Sequence, residues 1–145
     1  MEINKMNILV FSENNIKNFV TNKTHAVISI QDPDCDFIKL PKNPNCVATS
    51  KYKFYDFDSP TGQKNYDLWL FEKQDAEKIL EFVESIKNKI ELLCVHCVAG
   101  ISRSAGVAGA LSKIYNNDDS YYFKHYCPNM LVYRIILNTY YEKQK

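Results

Sequence analysis

The sequence predicts an α/β fold, a single domain over residues 1–145 with a twisted, mostly parallel central sheet of about four to five strands flanked by helices. Three observations point there. Short apolar runs at Met6–Phe11 (MNILVF), His25–Ile30 (HAVISI) and Glu91–His96 (ELLCVH) have the length of strands. Between and after them lie stretches with a helical apolar period. The last of the three runs is almost wholly apolar, as strands covered on both faces of a parallel sheet are.

Taken in order, Met6–Phe11 is the first strand, and Ser12 caps a short helix through Val20. His25–Ile30 is the second strand, closed by the turn signal Gln31-Asp32-Pro33. Residues 31–45 (QDPDCDFIKLPKNPN) hold three of the five prolines and read as an irregular connection at the surface. Val47–Phe57 (VATSKYKFYDF) reads as a third strand, with Tyr52 and Phe54 at period-2 positions, ended by Ser59-Pro60-Thr61-Gly62. Residues 72–89 carry the clearest helical signal. Ala76, Ile79, Leu80, Val83 and Ile86 share one face there, while Glu, Lys and Asn fill the other. After the strand ELLCVH a second long helix runs from about Ser102 to Tyr115, where Ala105, Gly106, Ala108, Gly109 and Ala110 allow close packing. Asn116–Asp119 breaks it. A final helix spans Pro128–Glu142, with Pro128 suited to the first turn and an apolar stripe of Leu131, Val132, Ile135, Ile136 and Tyr140. No repeat or linker divides the chain.

Composition narrows the function. An apolar content of 46% and a charged content of 24% are those of a globular chain, not a disordered one. A net charge of +1 gives no strong field toward nucleic acid or anionic membrane, and no apolar run is long enough to span a bilayer. The five cysteines make an odd count, and the N-terminal segment, with Glu2 and Lys5, does not read as a secretory signal. The cysteines therefore read as reduced thiols, and the expected location is cytoplasmic. Cys94 and Cys97 form a C-x-x-C, but there is no second pair and His25 and His125 lie at no ligand-like spacing. No metal and no cofactor are expected. Cys94 reads as a small apolar packing residue, the alternative being a redox partner of Cys97.

Ligands of parallel sheets bind beyond the carboxyl ends of the strands, here just after Phe57 and just after His96. The strand ELLCVH is followed by Cys97-Val98-Ala99-Gly100-Ile101-Ser102-Arg103-Ser104 and then by a helix. That is a strand, a tight loop opening on a thiol, and a helix N-terminus. Gly100 marks a point where backbone approaches something closely or takes an unusual conformation. A loop closing onto a helix start directs the backbone N–H groups of Val98, Ala99, Gly100, Ile101 and Ser102 inward as a nest for a tetrahedral oxyanion. Arg103 adds a planar charged fork that takes two phosphate oxygens at once. The same field favours the thiolate of Cys97, which then faces a bound phosphoryl group for in-line attack and a phosphocysteine intermediate. The Ser104 hydroxyl can donate to that sulfur and help it leave.

Residues His96 to Ser104 resemble the H-C-x-A-G-x-x-R-S form of the C-x5-R signature of cysteine-dependent protein tyrosine phosphatases, in particular their small dual-specificity branch. The resemblance extends to the amphipathic helix and strand before the loop, the small-residue helix after it, and Pro128-Asn129 opening a last apolar helix. It implies hydrolysis of phosphomonoesters, with phosphotyrosine and/or phosphoserine/threonine in phosphoproteins as substrate. It also implies inorganic phosphate or a similar oxyanion in the pocket, no cofactor, and a carboxylic acid on a nearby loop that protonates the leaving group. The candidates are Asp56, Asp58 and Asp67, in that order. Asp56 and Asp58 end YKFYDF, whereas Asp67 has the spacing closest to compact dual-specificity enzymes but sits in NYDLWLF, entering the helix. His96 reads equally as a residue tuning the loop and as a satisfied core residue. Trp69 and Phe71 read as anchors of the segment before the helix. Of the loop's variable positions Val98, Ala99, Ile101 and Ser102 none is basic, which argues against a polyphosphorylated lipid headgroup. Two alternatives stand beside this reading. An RNA 5′-triphosphatase on the same loop needs a basic track, which Lys42, Lys51, Lys53 and Lys64 supply only if they cluster. A non-catalytic phosphoprotein-binding module predicts loss of Cys97, Arg103 or every candidate acid.

Overall fold

In the computed structural model, which describes residues 5–145, the apolar runs become the strands β1 (Ile8–Phe11), β2 (His25–Gln31), β3 (Cys46–Lys53) and β4 (Leu92–His96). They pair in the order β1-β4-β2-β3, parallel throughout. The interior strands β2 and β4 are buried along their whole length, as strands covered on both faces are. β3 is an edge, and it exposes Val47, Thr49 and Lys51 on alternate residues.

The helices are α1 (Glu13–Lys17), α2 (Lys64–Asp67), α3 (Lys73–Ile86), α4 (Arg103–Asn116), α5 (Ser120–His125) and α6 (Met130–Lys143). Period-2 alternation divides the sheet's side chains between two cores. Ala26, Ile28, Ile30, Leu93 and Val95 meet Ile79 and Val83 of α3, Val107 and Leu111 of α4, and Val132 and Ile136 of α6. On the opposite face Val27, Leu92 and Cys94 pack with Ile16 of α1 in a smaller core. α3 buries Ala76, Ile79, Leu80, Val83 and Ile86, the five positions its period singles out, and Glu72 and Asp75 close its N-terminus as a reciprocal capping box. At Gly106 of α4 a Cβ would lie 2.8 Å from the Asn129 carbonyl oxygen. The glycine lets the start of α6 lie directly on α4.

Several boundaries differ from expectation. β3 ends at Lys53 rather than Phe57 because its partner β2 ends at Gln31. The Gln31 carbonyl accepts the Phe54 N–H (3.2 Å), and the Tyr55 N–H then turns to the Trp69 carbonyl (2.8 Å). α1 stops at Lys17, with Ser12 as its N-cap as expected. Pro128 lies before α6 instead of in its first turn: Asn129 is the N-cap, accepting the Val132 N–H on Oδ1 (3.1 Å). α2 and α5 were not foreseen. Phe71 is an anchor, buried with its ring 4.9 Å from that of Phe54, whereas Trp69 is 51% exposed. Among the described residues no helix is long and apolar enough to cross a membrane.

Candidate active site

β4 ends at His96 and α4 begins at Arg103, so residues 97–102 turn the chain at the carboxyl edge of the sheet. Gly100 makes the turn with φ +71°, and a Cβ there would lie 2.5 Å from the Ser12 nitrogen and 2.7 Å from the Phe11 carbonyl carbon. Both reasons for a glycine, the left-handed conformation and the close approach, therefore hold at one position. Three of the loop's carbonyls accept hydrogen bonds from the elements around it. Val98 C=O accepts the Glu13 N–H (3.1 Å), Ile101 C=O the Cys127 N–H (3.1 Å), and Ser102 C=O the N–H groups of Gly106 (2.8 Å) and Asn129 (2.9 Å). In a trans peptide the next N–H points the opposite way, so the amides of Ala99, Ser102 and Arg103 are directed into the loop. With the N-terminus of α4 beneath it, this concavity suits a tetrahedral anion.

Cys97 lies at the floor of the loop, 2% exposed. Its Sγ accepts the Gly100 N–H (3.2 Å) and sits 3.0 Å from the Ser104 Oγ. Arg103 is 5% exposed. Its Nη1 donates to Asp32 Oδ1 and to the Phe54 carbonyl, both at 2.7 Å, while its buried Nε has no partner among the described residues. An orphaned buried donor costs on the order of 1–3 kcal/mol, more on a charged group. An oxyanion in the loop would meet it, because Nε and Nη2 form the side-on edge of a guanidinium, suited to two oxygens at once.

The three candidate acids separate. Asp56 is brought to the loop: its Oδ1 accepts from the Ser102 hydroxyl (2.8 Å) and from Asn129 Nδ2 (2.9 Å), and the same Nδ2 reaches the Phe57 carbonyl (3.2 Å). Asp58 stands exposed two residues on. Asp67 lies in α2, not at the entry to α3, and is engaged in its own turn. Its Oδ1 accepts the Thr61 N–H (2.7 Å) and hydroxyl (2.8 Å), and its Oδ2 the Gly62 N–H (3.1 Å). These bonds, the Thr61 N–H foremost, hold its carboxyl below the usual range. Such a group stays ionised and is a poor proton donor.

His96 is a satisfied core residue, buried under the loop with Nε2 2.6 Å from the Ser29 Oγ and Nδ1 3.3 Å from the Cys97 carbonyl oxygen, and burial pushes its pKa down. Cys94 belongs to the smaller core, away from the loop, and burial pushes its thiol up to about 12. Lys51 and Lys53 both place their amines over the Phe37 ring, at 5.4 and 5.0 Å. Two cavities of about 630 and 640 Å³ lie elsewhere, one at the amino ends of β1 and β4 and one between α3 and α6. Sequence reasoning passed over two residues of the site. Asp32 was only a turn signal, and its partner Arg103 is 71 positions away. Asn129 was noted only as the start of a helix; its residue type announces an N-cap but not the bond to Asp56.

No protein-family profile matches the chain, and no curated protein matches it in sequence. Solved structures do match it in fold. Human DUSP28 superposes with a TM-score of 0.59 at 14% identity, covering 94% of this chain and 93% of that one. PTPMT1, solved in complex with PI(5)P, gives 0.56 at 15% identity over 95% and 92%. A human tyrosine phosphatase-like serine/threonine/tyrosine-interacting protein gives 0.55 at 18% identity over 83% and 79%. The chain therefore has the fold of the small dual-specificity-type phosphatases.

Proposed function

We propose that the protein is a cysteine-dependent phosphatase that hydrolyses phosphomonoesters on phosphoproteins, at phosphotyrosine and/or phosphoserine/threonine. The observation that carries this reading is the pairing, at one amide-lined loop, of a buried Sγ that accepts the Gly100 N–H with a buried Arg103 whose Nε lacks a partner among the described residues. The Cys97 thiolate attacks phosphorus, the S–P bond forms and the ester O–P bond breaks, and Asp56 gives its proton to the leaving oxygen. Asp56, now a carboxylate, takes a proton from water. The resulting hydroxide attacks phosphorus, the S–P bond breaks, and inorganic phosphate leaves while the Ser104 hydroxyl donates to the departing sulfur. Arg103 and the loop amides hold the equatorial oxygens throughout.

The Asp56 proton suits this role because its carboxylate is fixed by Ser102 and Asn129 at the loop itself. One similar fold was solved with PI(5)P, but here Asp56 stands at the loop, Asp32 pairs with its Arg103, and no variable position of the loop is basic, which favours a single phosphoryl group over a polyphosphorylated headgroup or an RNA end. A cytoplasmic setting fits the five free thiols.

Hydrolysis of a generic aryl phosphate tests the reading. Cys97→Ser abolishes turnover while still binding inorganic phosphate. Asp56→Ala lowers the rate roughly 10²–10⁴-fold, the usual loss for a missing general acid, and Asp58→Ala far less. Unimpaired turnover in Cys97→Ser overturns the assignment; phosphate binding without turnover in the wild type turns it into that of a phosphoprotein-binding module.

A further inference from the structure

The Asp32 carboxylate has no place in the chemistry just described, yet it makes a 2.7 Å ion pair with Arg103 while remaining only 35% exposed itself. An acid beside the phosphate-binding guanidinium opposes the binding of an anion. Its presence needs another reason, and the local bonding supplies one. The two hydrogens of Nη1 go to Asp32 Oδ1 and to the Phe54 carbonyl. Together they fix the plane of the guanidinium and consume both Nη1 hydrogens, while the buried Nε has no partner among the described residues. Asp32 is itself held. Its N–H donates to Gln31 Oε1 (2.8 Å), its carbonyl accepts the Cys35 N–H (3.1 Å), and Gln31 Nε2 donates to Glu13 Oε1 (2.6 Å). The chain of contacts runs from α1 through the end of β2 to Arg103.

We propose that Asp32 is a positioning residue for Arg103: it orients the guanidinium so that the Nε edge, rather than Nη1, meets the phosphoryl oxygens. The inference rests on the proposed oxyanion site but not on turnover at that site. Positioning and charge predict opposite signs, which makes the idea testable. Removing a negative charge beside an anion site tightens phosphate binding if Asp32 acts only through its field. Releasing the guanidinium from its fixed plane weakens binding if Asp32 acts by position, because small misplacements of a binding group are costly. Asn at this position keeps an acceptor oxygen for Nη1 and discards the charge.

The measurement is the affinity for inorganic phosphate, by titration calorimetry, of Cys97→Ser protein with Asp32 intact, with Asp32→Asn and with Asp32→Ala. Aryl phosphate turnover of the Asp32 variants with Cys97 in place is measured alongside, with thermal melts to establish folding. Asp32→Ala is expected to weaken phosphate binding roughly 10–100-fold and to raise KM for the aryl phosphate in parallel. Asp32→Asn is expected to bind phosphate as tightly as its parent, or more tightly. Equal or tighter binding by Asp32→Ala overturns the proposal, and so does a severalfold loss in Asp32→Asn, so the Asn variant keeps the proposal open to refutation even if the Ala variant does not fold. No phosphate binding by the Asp32 parent removes the oxyanion site and this inference with it. Phosphate binding that depends on Asp32 in a wild-type protein that turns over no aryl phosphate keeps the positioning role and sinks the proposed activity.

Discussion

The two faces of the sheet are built from the same strands and do different work. Toward α3, α4 and α6 every contributing side chain of β2 and β4 is apolar: Ala26, Ile28 and Ile30 on one strand, Leu93 and Val95 on the other. Toward α1 the same strands carry Val27, Leu92 and Cys94, and are polar where they approach the signature loop. Ser29 meets His96, and Gln31 meets Glu13 of α1. The thick face supplies burial, which is non-directional and insensitive to small shifts. The thin face supplies directional bonds, which fix where a loop sits to within fractions of an ångström. Stability and alignment are thus separated across one sheet.

Adjacent residues of β2 allow that division to be broken one face at a time, since Ile28 and Ser29 are both fully buried and point opposite ways. Ile28→Ala removes a buried aliphatic side chain from the large core and is expected to cost about 2–5 kcal/mol in unfolding free energy, read by urea denaturation. Aryl phosphate turnover per folded molecule stays near that of the wild type. Ser29→Ala takes away the hydroxyl that His96 Nε2 meets in a buried site, at about 1–3 kcal/mol. It costs less stability than Ile28→Ala and yet lowers turnover severalfold, because His96 also contacts the carbonyl of Cys97. If the larger loss of stability is accompanied by the larger loss of turnover, the division between faces is wrong.

What could be read in the sequence follows the range of the interactions. α3 was legible down to its five buried positions because amphipathic period is a property of neighbouring residues. The loop was legible for the same reason: Cys97, Gly100, Arg103 and Ser104 lie within eight consecutive residues, and their types state the chemistry. α5 was not, since a six-residue helix with one buried side chain, Tyr122, leaves almost no periodic trace. The end of β3 was misread because strand alternation continued through Phe54, whereas the ladder ends where the partner strand does, at Gln31. The order of the candidate acids came out of strand position, but what separates Asp56 from Asp67 is contact with Ser102 and Asn129 on one side and a closed turn on the other. Those partners, like Asp32 for Arg103, lie across the fold, and no local pattern announces them.

The smallest of the expected effects sharpens the comparison through pH. His96 is buried on the polar side, and burial holds its pKa below the ordinary 6.5; the Cys97 carbonyl and Glu13 oppose that shift without reversing it. In the unfolded chain the ring titrates normally, so below about pH 6.5 the unfolded state takes up a proton that the folded state refuses. Stability contributed by the neutral ring is complete above that pH and falls as the solution is acidified toward the folded value. One proton gives a slope of at most about 1.4 kcal/mol per pH unit. His96→Gln removes the titration while keeping a polar side chain opposite Ser29. Denaturation curves between about pH 6.5 and 5, above the range where free carboxylates titrate, should therefore lose slope in the variant relative to the wild type. Parallel slopes place the proton elsewhere, and the polar face then aligns the loop without any pH-linked share in holding the fold together.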